Sequence, residues 1–306
     1  MGQETEAGKV TLFGGSGFIG RHIVQELANR GWQIQSVSRH PKSAEFLKSF
    51  GKEGQISVGQ VDLREENSVF AALEGSDLVI NLVAILYETR SQKFEDLHYE
   101  AAKKVAEAAS KSGVRQLIHF SSIGVDEKSE ALYASTKARG EKAVHRAFPA
   151  ATILRPSVVF GPEDQLFNRF AQMAKLSPFL PLIGGGKSKF QPVYVGDLAK
   201  AVGQLAGNST GDQRIYELGG PDVVSFKEML QIMLGILGKR RFLVPLPFWY
   251  GSLIATFLQL LPNKPLTADQ VKMLKSDNVV SPDADGFQEL GISPAAIEEI
   301  VPGYLC

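Results

Sequence analysis

The chain has 306 residues, 44 % of them hydrophobic and 22 % charged, with 30 Gly and 15 Pro. That length allows about two average domains, and the composition lies near globular averages, which excludes disordered, collagenous and coiled-coil readings. Lys plus Arg number 33 and Asp plus Glu number 33, so the formal charge is zero and no global field gathers nucleic acid.

The N-terminus carries Glu4 and Glu6 and no apolar run, which fits neither a secretory signal nor an Arg-rich transit peptide. Two locations follow as expectations: a bacterial cytoplasm, peripheral on the inner membrane, or the mitochondrial matrix side if a presequence was trimmed. The single cysteine, Cys306, excludes an internal disulfide and a thiolate metal cluster and fits a reducing compartment.

Up to about Val159, β-rich runs alternate with amphipathic stretches. Strands are expected at Lys9 to Phe13, Gln33 to Val37, Ile56 to Val61, Asp77 to Val83, Gln116 to Ser121 and Ala151 to Leu154. Helical period fills the gaps, as in Gly17 to Arg30 and Phe94 to Ser112. This alternation predicts an α/β fold, a doubly wound parallel sheet of Rossmann type over residues 1–160, with segments near 190–220 contributing. Residues 161–306, richer in Pro and Gly, are expected to form a smaller α/β domain for substrate or partner.

The first strand runs into Gly14-Gly-Ser16-Gly17-Phe18-Ile19-Gly20 and then a helix. Gly14 permits a sharp turn, Gly17 lets backbone N–H groups approach a pyrophosphate, and Gly20 allows the helix to pack on the strand. Position after the first strand of a βαβ unit favours a dinucleotide loop over an ordinary structural turn.

The second strand ends in Ser38-Arg39, where NAD-binding proteins place an acid for the ribose 2′-hydroxyl. Ser38 can hydrogen-bond a 2′-phosphate and Arg39 can pair with it, so NADP(H) is favoured over NAD(H), against the alternative of a solvated loop Arg. Asp62 and Leu63 follow the third strand; Asp62 either meets the adenine or caps the next helix. Val83, after the fourth strand, completes the expected nucleotide contacts.

Tyr133 and Lys137 stand one helical turn apart. A phenol titrates near 10, and a cation about 4 Å away at a dielectric of about 20 supplies roughly the 4 kcal/mol that would bring it to about 7. The pair is a competent acid/base, with Lys137 also able to hold a ribose. Ser122, after the strand ending His119-Phe-Ser-Ser, could orient a carbonyl. The five histidines, at 22, 40, 98, 119 and 145, lack metal-ligand spacing with acids, so no metal is expected and they are read as surface or packing residues.

Together these residues resemble the extended and atypical short-chain dehydrogenase/reductases, as do Leu154-Arg-Pro156, Gln191-Pro-Val-Tyr-Val-Gly-Asp197 and Tyr216-Glu-Leu-Gly-Gly-Pro221. Val79-Ile-Asn81, Tyr87-Glu-Thr-Arg90, Ala147-Phe-Pro149 and Pro181-Leu-Ile-Gly-Gly-Gly186 are similar, more narrowly, to the nucleotide-binding accessory subunits of respiratory complex I and their bacterial relatives. The resemblance implies an NADPH-holding domain, complex I subunits as partners, and a structural or assembly role rather than proven catalysis. Two departures stand out: His98 occupies the place where active extended members often carry a structural Asn, and Ser122 is only eleven residues before Tyr133.

Phe242 to Leu261 contains no charge and follows Lys239-Arg240-Arg241. Pro245 and Pro247 break it, leaving about 21 Å of helix from Phe248, too short for a hydrocarbon core of about 30 Å. A helix apolar nearly all round must be buried, either in its own core or on a membrane or membrane-bound partner.

Two functions from different classes follow. One is a complex I accessory or assembly protein with NADP(H) as a structural ligand. The other is a free-standing NADPH-dependent oxidoreductase or epimerase of a sugar nucleotide, quinone precursor or isoprenoid-like molecule, using Tyr133 and Lys137.

Overall fold

A computed structural model describes residues 8–208, 211–261 and 264–305; Glu4, Glu6 and Cys306 lie outside them. In chain order the elements are β1 (Lys9–Phe13), α1 (Phe18–Asn29), β2 (Gln33–Ser38), β3 (Ile56–Gln60), α2 (Glu66–Ala72), β4 (Leu78–Asn81), α3 (Ala101–Lys111), β5 (Gln116–Phe120), α4 (Leu132–Ala147) and β6 (Thr152–Pro156). There follow β7 (Val159–Phe160), α5 (Phe167–Leu176), β8 (Phe179–Ile183), β9 (Lys189–Phe190), β10 (Val193–Tyr194), α6 (Val195–Leu205) and β11 (Arg214–Leu218). The chain then runs through β12 (Val224–Ser225), α7 (Phe226–Ile236), β13 (Phe242–Leu246), α8 (Phe248–Leu258) and α9 (Ala268–Met273), with two short C-terminal turns of helix, Ile297–Ile300 and Pro302–Leu305.

Seven strands form one parallel sheet in the order β11-β6-β5-β4-β1-β2-β3. The chain reverses direction across the sheet between β1 and β4, and that switch point opens a crevice at the carboxyl ends of the strands. The central strands are apolar along their whole length because both sheet faces are covered. One face packs Val10, Leu12 and Ile80 against Ile23 and Leu27 of α1 and Leu198 and Val202 of α6. The other packs Phe13, Val79 and Leu117 against Val69 of α2, Val105 of α3 and Val144 of α4.

A third apolar cluster lies apart from the sheet. Phe167 and Ala171 of α5, Leu180 and Leu182 of β8, and Met229, Leu230 and Met233 of α7 pack with Ile297, Val301 and Leu305. Ser225 and Glu228 start α7 with a reciprocal capping box.

The expected strands all form, with ends moved by one or two residues. The run expected to be a strand to Val83 stops at Asn81, because the Asn81 side chain accepts from the Val83 N–H at 3.1 Å and turns the chain out of the sheet. The helix expected from Phe94 opens as a π-helical turn over Glu95–Glu100 before α3. Gly140 on α4 makes room for it: a Cβ there would collide with the His98 carbonyl oxygen.

The helix at 248–258 buries only Gly251 and Ala255. Its own-core reading is therefore corrected: Trp249, Leu253 and Phe257 face solvent, since only the two smallest positions fit against Ile183 and its neighbours. Among the described residues, no helix is long and apolar enough to cross a membrane.

Candidate functional site

The glycine loop bends at Gly14, whose φ of 86° suits glycine, and Gly17 donates back to the Gly14 carbonyl at 3.1 Å. A Cβ at Gly20 would strike the Gly14 carbonyl oxygen and come within 2.7 Å of the Gly15 Cα, so at Gly20 the first turn of α1 closes on the loop itself rather than, as expected from the sequence, on the strand. No acidic residue stands in that first turn. The free N–H groups and the positive end of the helix dipole are thus open to an anion. Ser16, Phe18 and Ile19 complete the loop; Ile19 packs partly on the sheet core and Phe18 meets His22 edge-on, with ring centres 6.1 Å apart.

The other expected residues gather around this loop at the carboxyl ends of the strands. Ser38 ends β2, with Arg39 exposed beyond it; Asp62 and Leu63 follow β3; Val83 follows β4. Leu63 and Val83 both pack, half-buried, against the same apolar cluster. Asp62 does not cap α2, whose N-cap is Glu65. Its carboxylate instead takes the Arg64 N–H at 3.0 Å and the Arg64 guanidinium at 2.5 Å, which holds it down at about 2, with a smaller push from Arg39.

Buried polar atoms also mark the crevice. Among the described residues, the hydroxyls of Ser38 and Ser121 are sequestered with no hydrogen-bond partner and that of Ser122 has only the Tyr133 phenol beside it, although buried polar groups are nearly always paired. Together with the glycine cradle, these hydroxyls fit a dinucleotide laid across the switch point. Ser38 would meet the adenosine ribose or its phosphate, and the serines just after β5 the nicotinamide end.

On α4, Tyr133 and Lys137 are both buried, Lys137 to 1 % exposure. The Lys137 ammonium donates to the Phe120 carbonyl at 2.5 Å, and burial lowers it to about 8, opposed by the charge of Glu141. Burial pushes the Tyr133 phenol up, with the Ser122 hydroxyl close enough to oppose the rise. The expected lowering of the phenol by Lys137 is absent in the protein alone, because desolvation of the phenolate dominates.

His98 was expected to be a packing residue, and sequence reasoning missed what else it does. It lies under Tyr133 with ring centres 5.1 Å apart and stacks on Phe94 at 5.0 Å. Its Nε2 accepts from the Ile85 N–H at 3.1 Å, which leaves the proton on Nδ1 to meet Thr136 Oγ, also at 3.1 Å; Thr136 in turn donates to the Leu132 carbonyl at 2.6 Å. This chain ties the segment after β4 to the start of α4, the bridging task an Asn could perform. The His98-for-Asn departure was the one signal available in the sequence. Burial holds His98 neutral, down to about 3. His22 pairs with Glu163 at 2.9 Å, and among the described residues no set of His, Cys, Asp and Glu could hold a metal ion.

Three side chains near the C-terminus close the far side of the crevice. Asp269 accepts from the Leu132 and Tyr133 N–H groups at 2.7 and 2.9 Å. Lys272 donates to the Glu130 carbonyl at 3.0 Å, and Asn278 bridges Ser157, Val158 and the Ile123 carbonyl. Arg155, between Glu141 of α4 and Glu217 of β11, fixes the base of α4, with its shorter contact, 2.6 Å, to Glu141.

The chain is similar over most of its length to mitochondrial complex I proteins. It is 38 % identical to "NADH dehydrogenase [ubiquinone] 1 alpha subcomplex subunit 9, mitochondrial" of Arabidopsis thaliana, covering 93 % of this chain and 74 % of the relative. It is 34 % identical to "NADH-ubiquinone oxidoreductase 40 kDa subunit, mitochondrial" of Neurospora crassa, covering 96 % and 78 %. The triphenylmethane reductase of Citrobacter sp., solved with NADP(H), shares the fold with a TM-score of 0.76 at 19 % identity, covering 96 % of this chain and 99 % of that one. The family model "NAD dependent epimerase/dehydratase family" matches residues 10–219, from the first strand through the last strand of the sheet, and the chain belongs to that family.

Proposed function

We propose that this protein is an accessory or assembly component of respiratory complex I in which NADP(H) serves mainly as a structural ligand. The near-full-length likeness to complex I subunits carries this reading. NADP(H) rather than NAD(H) is favoured by Ser38 and Arg39 at the end of β2, where no acid meets the ribose. Gly14 to Gly20 would hold the pyrophosphate, Asp62, Leu63 and Val83 the adenine end, and Lys137 the nicotinamide ribose. A nucleotide present at a hundred times its dissociation constant stabilises its protein by about 2.7 kcal/mol, reason enough to keep a site.

In this reading the work divides near residue 160: the sheet holds the nucleotide and residues 161–306 meet the partner. Segment 242–261 docks on a membrane or membrane-bound subunit, because Trp249 and Phe257 are exposed beside the basic triplet 239–241. The protein then sits on the membrane face toward the bacterial cytoplasm or the mitochondrial matrix.

The test is affinity purification from mildly solubilised native membranes, with proteins and bound nucleotide identified. Stoichiometric complex I subunits with retained NADPH are expected; a lone soluble chain would overturn the reading. The Ser122 hydroxyl beside the Tyr133 phenol favours a second reading, a carbonyl reductase or epimerase. Tyr133→Phe separates the two: it abolishes turnover in an enzyme and leaves complex I levels unchanged in an accessory subunit.

A further inference from the structure

A cavity of about 500 Å³ opens between residues 87–94 on one side and Leu260, Lys264 and the start of α9 on the other. Its wall carries four cations, Arg90, Lys93, Lys264 and Lys272. One of the two carboxylates in the same wall offsets a cation there and the other is engaged elsewhere, while Lys264 and Lys272 donate only to the neutral Glu88 and Glu130 carbonyls and so keep their charge. Glu88 accepts from the Phe94 N–H at 3.0 Å and pairs with Lys93 at 3.3 Å, while Asp269 is bound to the N–H groups that open α4. Positive charge is therefore in excess, and a concave wall concentrates its field on whatever enters.

Beside the polar Thr89, Gln259 and Thr267, the wall has an apolar part. Tyr87, Phe94, Leu132 and Leu260 share the wall. From Leu260, 79 % exposed, a stripe continues along one face of α8 through Phe257 (65 %) and Leu253 (49 %) to Trp249 (70 %). Trp249, Leu253 and Phe257 recur at four-residue steps and line up over about 12 Å of α8, with Leu260 just past its C-terminal end. The Thr256 hydroxyl, on another face, is satisfied within the helix by the Ser252 carbonyl.

We propose that cavity and stripe form a site for one anionic membrane lipid, with its phosphate among Arg90, Lys93, Lys264 and Lys272 and a hydrocarbon chain along Leu260, Phe257, Leu253 and Trp249. The inference deepens the docking role given above to 242–261 and rests on it. Guanidinium and ammonium groups suit a phosphate, which accepts from several donors at once. The stripe offers the hydroxyls of a sugar or nucleoside no polar partner beyond the indole N–H of Trp249, and its width of one side chain matches a single chain.

The experiment uses the full-length protein and lysophosphatidic acid kept below its micelle-forming concentration. The two tryptophans make it readable: Trp249 lies on the stripe, whereas Trp32, 7 % exposed, is in the sheet core and reports no surface change. A saturable blue shift of Trp249 emission is expected, weakened at least roughly tenfold by Arg90→Glu combined with Lys264→Gln, as loss of charge-assisted hydrogen bonds requires. Monoacylglycerol of the same chain length is expected to bind as weakly as that variant binds the phosphate-bearing lipid, and inorganic phosphate to leave the emission unmoved. Equal affinity for monoacylglycerol, or no loss in the variant, would overturn the headgroup site. Displacement of the lipid by inorganic phosphate at matching concentration would reduce it to a free-anion site and overturn the lipid assignment. Sedimentation with phosphatidylcholine vesicles doped with phosphatidic acid tests the docking reading by itself. Vesicle binding without binding of the monomeric lipid would overturn this proposal and leave docking in place. Absence of vesicle binding would count against membrane docking.

Discussion

Asp269 holds the backbone N–H groups of Leu132 and Tyr133 at 2.7 and 2.9 Å across 137 and 136 residues of sequence. The first turn of the helix that carries the Tyr–Lys pair is thus capped by a side chain from α9 rather than by its own N-cap, Ala131, which offers no side-chain acceptor. Replacing Asp269 by Ala removes both bonds and the favourable charge at the helix N-terminus. A loss of about 1–2 kcal/mol is expected, read as a lower urea midpoint at unchanged slope. Asp269→Asn should recover part of it, since one amide oxygen remains. An unchanged midpoint in Asp269→Ala would show the cap to be dispensable.

The nucleotide loop gives a second expectation. Gly20→Ala must push the new methyl into the Gly14 carbonyl and Gly15 Cα. Overpacking of this kind costs about 1–3 kcal/mol, and the displaced loop should release its ligand. Nucleotide content after purification, measured by chromatography, should fall to background while the far-ultraviolet circular dichroism remains that of an α/β protein. Full retention would place the pyrophosphate elsewhere.

Cofactor choice is expected to follow Arg39. Arg39→Ala should weaken NADPH by about tenfold or more, the share of a charge-assisted contact, and change NADH by less than twofold to threefold. Calorimetric titration of both nucleotides decides the point. Equal losses would mean that Arg39 is a solvated loop residue.

Acid sensitivity should come from the buried histidines. In the folded protein His98 stays neutral down to about 3, while in the unfolded chain it titrates near 6.5. Between those values only the unfolded state takes up its proton, so stability is complete above pH 6.5 and declines as the pH falls. His98 alone should remove about 2 kcal/mol between pH 6.5 and 5. His119, lowered by burial in the same way, adds to the decline. His98→Asn, which keeps an acceptor for the Ile85 N–H, should flatten the profile by its share. A profile of unchanged steepness would assign the acid sensitivity to other groups.

What the sequence made legible was local. The glycine loop, the strand runs and the Tyr133–Lys137 spacing each depend on neighbours within a few positions, and the family resemblance joined them in the right order. The end of β4 was misread because Asn81 captures the Val83 N–H, a side-chain competition that hydrophobic period does not register. The π turn before α3 was read as plain helix because it has the same amphipathic pattern; Gly140, which admits it, is a contact across two helices. The apolarity of 248–258 said that this face needs cover, but only the packing of Gly251 and Ala255 showed which side the protein itself supplies. Asp269 gave no signal at all, since its partners are backbone groups far away in the chain.

The order of the strands also bears on how the protein is made. The sheet's edge strand β11 pairs with β6 in register from Arg214 opposite Thr152 to Leu218 opposite Pro156, yet the whole of α5, β8 and α6 is synthesised between them. Glu217 on that edge strand then accepts from the Ser281 N–H at 2.8 Å. A ribosome that has released the first 160 residues has therefore released an open sheet with an unpaired apolar edge, and such edges invite aggregation. Nascent chains arrested before residue 218 should depend on a chaperone, and those arrested past 285 should not.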